Sequence, residues 1–163
     1  MSTEATAEEL LLELAGLGSP VPAKVVPLKL KEKTPAYYDD ALDELVVNVR
    51  SPYWKKAEGN AKAQFDAGWW STDDPRHPLI HEIGHAAHAK HDRRLYLALK
   101  HSAMPDEVLI ALTGKVSGYA MTSPHEFVAE VFAGLLAGEE YGDDVMAWYV
   151  RWRGFPIHLY LRE

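Results

Sequence analysis

The chain has 163 residues, a formal net charge of −7 and no cysteine. That length fits one domain whose hydrophobic core is large enough to need no cross-links. The lack of cysteine excludes disulfides and cysteine-based catalysis or metal binding. The acidic balance argues against a nucleic-acid partner. No apolar run reaches about eighteen residues, so the sequence predicts no membrane-spanning helix.

The N-terminal part of the chain predicts two helices and two strands. Residues 6–15 form a leucine-rich helical pattern, and residues 53–66 predict a second helix. Residues 24–32 and 43–50 are rich in β-branched side chains and predict strands. Pro27 lacks a backbone N–H, which places the first strand at a sheet edge. The tyrosine- and aspartate-rich segment between the strands predicts a turn.

From Leu79 onwards the apolar residues recur at helical spacing. Helices are predicted at residues 78–101, 105–113, 124–138 and 142–152. The third of these has Ser123 at the N-cap and Pro124 at the first helical position, a combination typical of helix starts. The C-terminal half of the chain is therefore predicted to be helical.

Residues 81–85 read His-Glu-Ile-Gly-His within a predicted helix. Residues four apart on a helix lie about 40° apart around its axis, so His81 and His85 can bind one metal ion together. Glu82 lies about 100° round from His81, where it can reach a water on the ion without being a ligand. Zinc hydrolases use this spacing, because zinc lowers the pKa of the water and the glutamate accepts its proton. The alternative is two surface histidines on an amphipathic helix.

A catalytic zinc usually has three protein ligands, and two residues are candidates for the third. Glu126 shares a helix face with Glu130 beside an apolar stripe, where unpaired carboxylates would be costly to bury. A solvated pair near a helix N-terminus is the alternative. His91 matches the metzincin spacing, except that His88 replaces the glycine that turns the chain. On an unbroken helix His91 points about 80° away from His81, which disfavours it as a ligand.

Other polar residues near the motif are more ambiguous. His88 and Asp92 lie on the same helical stripe as His81. We expect both to be helix residues whose hydrogen bonds are satisfied and which at most line a pocket. Tyr119, seven residues before Glu126, could donate to a developing oxyanion, although a core or surface tyrosine is the ordinary interpretation. The sequence identifies no partner for His77, His101 and His158, and no role for His125.

With HEIGH, SGYA and HEFVAE in this order, the chain resembles the lethal-factor-like zinc peptidases of bacterial toxins. It is similar also to the related domains attached to phage head-morphogenesis proteins, and both groups are gluzincins. The resemblance covers roughly residues 36–138. It implies a functional set of zinc ligands His81, His85 and Glu126, general base Glu82, oxyanion donor Tyr119, and Glu130 orienting a histidine ligand. His125, beside a ligand position, departs from the family pattern.

The resemblance also implies an α+β fold, in which a small, twisted, mostly antiparallel sheet packs on the zincin motif helix. An edge strand would line the cleft and bind an extended peptide by β-augmentation. We therefore expect one metallopeptidase domain over residues 1–163. Its core would span residues 36–138, between an N-terminal arm at 1–20 and a C-terminal helix and tail at 139–163.

The expected function is zinc-dependent endopeptidase cleavage of a peptide or protein substrate. The alternative is a non-catalytic, zinc-stabilised structural or docking domain of a phage particle or toxin, and a metal-dependent hydrolase of non-peptide substrates also stays open. The acidic start of the chain lacks the basic region of a signal peptide, so we expect a cytoplasmic or virion-associated protein. The partners that the resemblance suggests are a neighbouring domain or a phage structural protein.

Overall fold

The computed structural model describes residues 2–161. Its helices are α1 (Thr3–Gly16), α2 (Ala57–Asp66), α3 (His77–His91), α4 (Arg93–Lys100), α5 (Glu107–Thr113), α6 (Pro124–Leu136), α7 (Asp143–Arg151) and α8 (Ile157–Tyr160). Its strands are β1 (Lys24–Leu28), β2 (Ala36–Asp39) and β3 (Glu44–Asn48). Two 3₁₀ turns cover Pro52–Lys56 and Tyr119–Met121. The fold is α+β, as predicted.

The strands form one sheet in the order β1-β3-β2. In this sheet β3 runs parallel to β1 and antiparallel to β2, with Val46 paired to Val26 on one side and Tyr37 on the other. The sheet is therefore mixed, and the prediction of a mostly antiparallel sheet is wrong in this respect. The β2–β3 hairpin lets β3 insert beside β1 in the same direction. Pro27 lies on an edge strand, which confirms its predicted position.

Strand β2 occupies the segment that was predicted to be a turn. Ala36 and Tyr38 are buried, whereas Tyr37 between them is exposed. This alternation is that of a strand with one covered face, and α3 provides the cover. The turn itself begins only at Asp39, whose carboxylate accepts from the backbone N–H groups of Ala41 (3.0 Å) and Leu42 (3.1 Å).

Several helix boundaries differ from the predicted ones, as for α2, which begins at Ala57 after a 3₁₀ turn, and two of the differences have clear local reasons. Helix α1 begins earlier than residue 6 because Ser2 accepts from Ala5 N (3.1 Å) and serves as its N-cap. The long helix predicted at 78–101 is broken at Asp92, which has φ −152° and ψ 88°. Asp92 accepts from Leu95 N (3.0 Å), so it starts α4 as an N-cap. The short helix α8 was not predicted.

Helix α6 lies between two hydrophobic clusters. The first joins α6 to α1, the sheet and α3, and contains Leu10, Leu45, Ile83 and Phe132. The second joins α6 to α4, α5 and α7, and contains Leu99, Leu109, Phe127 and Tyr149. This arrangement holds α3 against α6 along their length and thereby fixes the side chains that project between them.

Gly84 lies where α3 approaches α6 closely. A methyl group added there would lie 3.0 Å from Phe132 Cδ1 and 3.3 Å from Ala129 Cα. Glycine in a helix interior costs about 1 kcal/mol relative to alanine, and the close approach explains its presence.

In the described part of the chain, none of the helices combines the length and the apolar character needed to cross a bilayer.

Candidate metal centre

The facing sides of α3 and α6 bring together His81, His85 and Glu126. All three are buried, and one potential ligand atom from each lies within 4.8 Å of the others. Glu126 Oε1 is 2.5 Å from His85 Nε2 and 3.5 Å from His81 Nε2. This set of two imidazole nitrogens and one carboxylate oxygen could hold a metal ion. Of the two candidates for the third ligand, Glu126 is therefore the one that lies beside His81 and His85.

Two of these atoms are better placed to bind a metal ion than to form hydrogen bonds. Within residues 2–161, His81 Nε2 and Glu126 Oε1 are buried and have no aligned hydrogen-bond partner. Buried polar atoms without partners are rare in proteins and cost free energy. A cation bound between them would satisfy both, and His₂Glu is a donor set that zinc takes in hydrolases. The residues therefore fit a divalent metal.

The charges of the centre reinforce one another. Burial raises the pKa of Glu126, but the neighbouring His85 and His81 outweigh burial and hold that pKa far below its usual value. Burial lowers the pKa of His81, yet the carboxylates of Glu126 and Glu130 raise it well above its usual value. The carboxylate is thus held ionised, as a metal ligand must be.

Glu130 lies one turn further along α6 and is fully buried. Its Oε2 accepts from His77 Nε2 (2.8 Å) and His81 Nδ1 (2.7 Å). Its Oε1 accepts from Ser71 N (3.0 Å) and Ser117 Oγ (2.9 Å). Burial raises the pKa of Glu130, but the hydrogen bonds and charges of the two histidines outweigh it and lower the pKa to about 2. Because His81 donates through Nδ1, Nε2 is the nitrogen that can bind a metal, and metal binding there displaces the ring proton that the raised pKa favours.

His77 is the site residue that the sequence analysis missed. With Nε2–H donated to Glu130, its Nδ1 accepts from Thr72 Oγ1 (2.7 Å), and its ring stacks on Trp70 (centroids 4.6 Å apart). The spacing of His77, His81 and Glu130 could also hold a metal, but here each of these atoms already has a hydrogen-bond partner. The available signal was the four-residue spacing from His81, which puts both histidines on one helix face.

Glu82 lies beside the centre and outside the ligand group. Its Oε1 accepts from the backbone N–H of Tyr38 on β2 (2.9 Å). Its Oε2 is 3.7 Å from His81 Nε2. The side chain is half-buried. One of its oxygens is thus fixed by the sheet, and the other faces the space near the candidate metal ligands.

Tyr119 reaches the same space from the second 3₁₀ turn. Its ring centroid is 5.2 Å from that of His81 and 5.4 Å from that of Trp69. The turn is fixed to the loop before α3, because Gly118 N donates to Gly68 O (2.7 Å) and Tyr119 N donates to Trp69 O (3.1 Å). Burial and the carboxylate of Glu126 raise the pKa of Tyr119, so its hydroxyl keeps its proton at neutral pH.

The remaining histidines take other positions. His91 lies 5.7 Å from the Phe155 ring and outside the ligand group, and His101 is exposed. His88 is fully buried and donates to Trp152 O (2.8 Å), and burial lowers its pKa to about 4. His125 stacks on His85 (centroids 4.8 Å apart) and is hydrogen-bonded to Ser123 Oγ (2.7 Å). Burial, and next His85, lower the pKa of His125 to about 3.

A cleft of about 270 Å³ opens beside His81 and Glu82. Its other lining residues are Thr34, Pro35, Ala36, Gln64, Trp69, Trp70, His77, Pro78 and Tyr119. Aromatic and proline side chains dominate this wall, and the lining contains no lysine or arginine. The cleft therefore suits a large apolar group placed next to the candidate metal centre.

Comparison with known proteins gave no match: no protein-family model, no curated protein sequence and no solved structure matches this chain. The functional interpretation of the centre therefore depends on its residues and geometry.

Proposed function

We propose that this chain is a zinc-dependent endopeptidase with Glu82 as its general base. One observation carries the proposal: a buried His81, His85 and Glu126 group with unsatisfied ligand atoms lies next to a carboxylate that is not itself in the group. A purely structural metal site has no use for that extra carboxylate, because structural sites are closed by their ligands.

Zinc is the metal that the donor set favours, since two imidazoles and one carboxylate leave a fourth position open. When bound, zinc would lower the pKa of a water molecule and polarise the carbonyl group of the substrate. His81 would bind through Nε2, held in that tautomer by the Nδ1–H bond to Glu130. His85 has no such carboxylate, and its ring orientation is maintained by stacking on His125.

The orientation of Glu82 suits proton transfer. The Tyr38 amide holds Oε1, so Oε2 is free to accept the proton of the attacking water and later deliver it to the leaving amine. Tyr119 retains its hydroxyl proton and lies within reach of the same space, where it would donate to the oxyanion that develops on the carbonyl. These roles agree with those implied by the resemblance to gluzincins.

The edge strand β2 supports a peptide as the substrate. Asn48 N donates to Pro35 O (2.9 Å), and by strand alternation Ala36 and Tyr38 turn their backbone N–H and C=O groups away from β3. Because the Tyr38 N–H is donated to Glu82, an extended peptide could pair with the N–H and C=O groups of Ala36 and with the C=O group of Tyr38, and so pass Glu82. One of its side chains, large and apolar, would fill the aromatic cleft.

The test is a comparison of wild type with Glu82→Gln and with Glu58→Gln, an exposed control on α2. Zinc per chain is measured by mass spectrometry, and turnover is measured on a mixed peptide library by mapping cleavage products. We expect near one zinc in all three proteins, and a loss of turnover of roughly 100-fold or more in Glu82→Gln alone.

Two results would overturn the proposal. Loss of zinc in Glu82→Gln would make Glu82 a ligand. Zinc in every protein with no cleavage by wild type, together with a melting temperature that falls on chelation, would favour the zinc-stabilised structural or docking domain.

A further inference from the structure

One end of the sheet carries a concentration of unpaired positive charge. Six cations lie there, and we refer to them as the basic rim: Lys29, Lys31, Lys33, Arg50, Lys55 and Lys56. All six are exposed, and within residues 2–161 none forms an ion pair with a carboxylate at 4.0 Å or less. The chain as a whole has 24 acidic and 17 basic residues, so this excess of positive charge is local.

Cations elsewhere on the molecule mostly have partners. The ion pairs include Lys62–Asp66 (2.7 Å), Lys90–Asp43 (2.6 Å), Lys115–Asp144 (2.5 Å) and Arg76–Asp74 (3.0 Å). The opposite end of β2 follows this pattern, because Asp40 is paired with Lys100. The charge along β2 is therefore asymmetric: neutralised where the strand ends, and positive where it begins.

The basic rim is built on a fixed backbone. Asn48 is fully buried, and its side-chain oxygen accepts from Leu30 N (3.0 Å) and Arg50 N (3.2 Å). Its side-chain nitrogen donates to Glu32 O (2.8 Å) and Thr34 O (3.0 Å). A fully satisfied buried amide of this kind rigidifies the segments that it joins. The lysine-rich loop before β2 is thus held to the chain after β3.

The same framework connects the basic rim to the cleft. Ser51 Oγ donates to Lys33 O (2.6 Å), and Trp54 Nε1 lies 3.3 Å from Pro35 O as a donor. Pro35 lines the cleft, as does its neighbour Thr34. On the other side, the ring of Tyr53 lies 5.7 Å from that of Trp70 in the cleft wall. The backbone that carries the basic rim is therefore joined to the segment that lines the cleft.

We infer that the basic rim binds an acidic segment of the peptide substrate, a few residues from the bond that is cleaved. This inference rests on the proposed peptidase function and adds a substrate class to it. Each exposed ion pair contributes little on its own, but six like charges on the chain next to the segment that lines the cleft raise the local concentration of an anionic peptide and its association rate. The preference should therefore appear in KM and weaken with salt.

The experiment uses three synthetic fluorescein-labelled peptides with one apolar centre, flanked by glutamates, by glutamines or by lysines. Binding to zinc-loaded Glu82→Gln protein is measured by fluorescence anisotropy at low and high salt. We expect the glutamate peptide to bind about 10-fold tighter than the glutamine peptide at low salt, with little difference at high salt.

Two triple variants locate the effect. Lys31→Glu, Lys33→Glu and Lys55→Glu reverse half of the basic rim, and Arg94→Glu, Lys115→Glu and Arg151→Glu make the same charge change on exposed cations of the helical half. The first variant should lose the preference for the glutamate peptide, and the second should keep it. Zinc content and melting temperature establish that both variants are folded.

Equal binding of the glutamate and glutamine peptides, or a preference that survives in the rim variant, would overturn the inference. So would tighter binding of a single-stranded oligonucleotide than of the glutamate peptide, or self-association that the rim variant abolishes. Failure of the peptidase proposal is separate: it appears as absent turnover with the binding preference intact. Turnover of uncharged peptides without any acidic preference contradicts only the inference about the basic rim.

Discussion

The two buried histidine–glutamate clusters share His81 but differ in how their polar atoms are satisfied. In the outer cluster, formed by His81, His85 and Glu126, the atoms that converge include buried ones without hydrogen-bond partners. In the inner cluster, formed by His77, His81 and Glu130, each converging atom already has a partner at 2.7–2.8 Å. Similar spacing and burial thus produce a candidate ligand-binding set in one place and a supporting network in the other.

Both clusters arise from one pattern of helix geometry. His77, His81 and His85 follow each other at four-residue intervals on α3, and Glu126 and Glu130 do so on α6. Residues at this spacing form one row along a helix, so the two rows face each other between the helices. Glu126 lies beside His81 and His85, and Glu130 lies beside His77 and His81. In the inner cluster, Ser71 and Ser117 donate the remaining hydrogen bonds to Glu130.

The largest expected effect comes from Glu126→Gln. Loss of the charged ligand removes one of three protein contacts to the metal, so the fall in zinc affinity should exceed the roughly 10–100-fold typical of residues that only support a ligand. Zinc per chain after dialysis, measured by mass spectrometry, checks this. Glu140→Gln, at an exposed site after α6, is the matched control. Full zinc retention in Glu126→Gln would move the third ligand elsewhere.

Glu130→Gln should affect both stability and metal binding. The amide removes a buried charge that four donors satisfy, so we expect a loss of about 3–5 kcal/mol in the free energy of unfolding. Zinc affinity should fall roughly 10–100-fold, because His81 loses its orienting partner. Urea unfolding of the metal-free protein and chelator competition measure the two effects. Unchanged stability, with exposed Glu139→Gln as the control, would contradict a supporting role.

His88 tests pH dependence at a histidine outside both clusters. Its folded pKa is about 4, below the usual 6.5, because burial disfavours the charged form. The unfolded chain therefore binds a proton first as the pH falls, so stability is intact above about pH 6.5 and falls by up to about 3 kcal/mol towards pH 4. Urea unfolding of His88→Gln over this range should show a shallower decline than wild type. Parallel curves would refute this.

The smallest effect is expected for His77→Phe, which keeps a ring to stack on Trp70 but loses both nitrogen atoms. Glu130 then retains three of its four donors, so we expect a loss of about 1.5 kcal/mol in the free energy of unfolding. Zinc affinity should fall about 10-fold, near the low end for an outer partner. Calorimetric titration with zinc measures the affinity. An effect as large as that of Glu126→Gln would mean that His77 is itself a ligand.

The sequence by itself determined the features that depend on local spacing. The motif helix, the shared face of Glu126 and Glu130 and the edge position of Pro27 follow from periodicity and from the chemistry of single residues. These features involve neighbours within a few residues along the chain, so a linear pattern contains them. The functional roles of Glu82 and zinc stay predictions that the experiments above test, and the role of Tyr119 stays a prediction.

Only the tertiary structure decided what depends on contacts between distant segments. Strand β2 forms because β3 and α3 cover it, although its sequence is typical of a turn. His77 is hydrogen-bonded to Glu130, and Glu82 accepts from the backbone N–H of Tyr38, across separations of 53 and 44 residues along the chain. No local pattern specifies such pairs, because their free energy is gained only when the core brings the segments together.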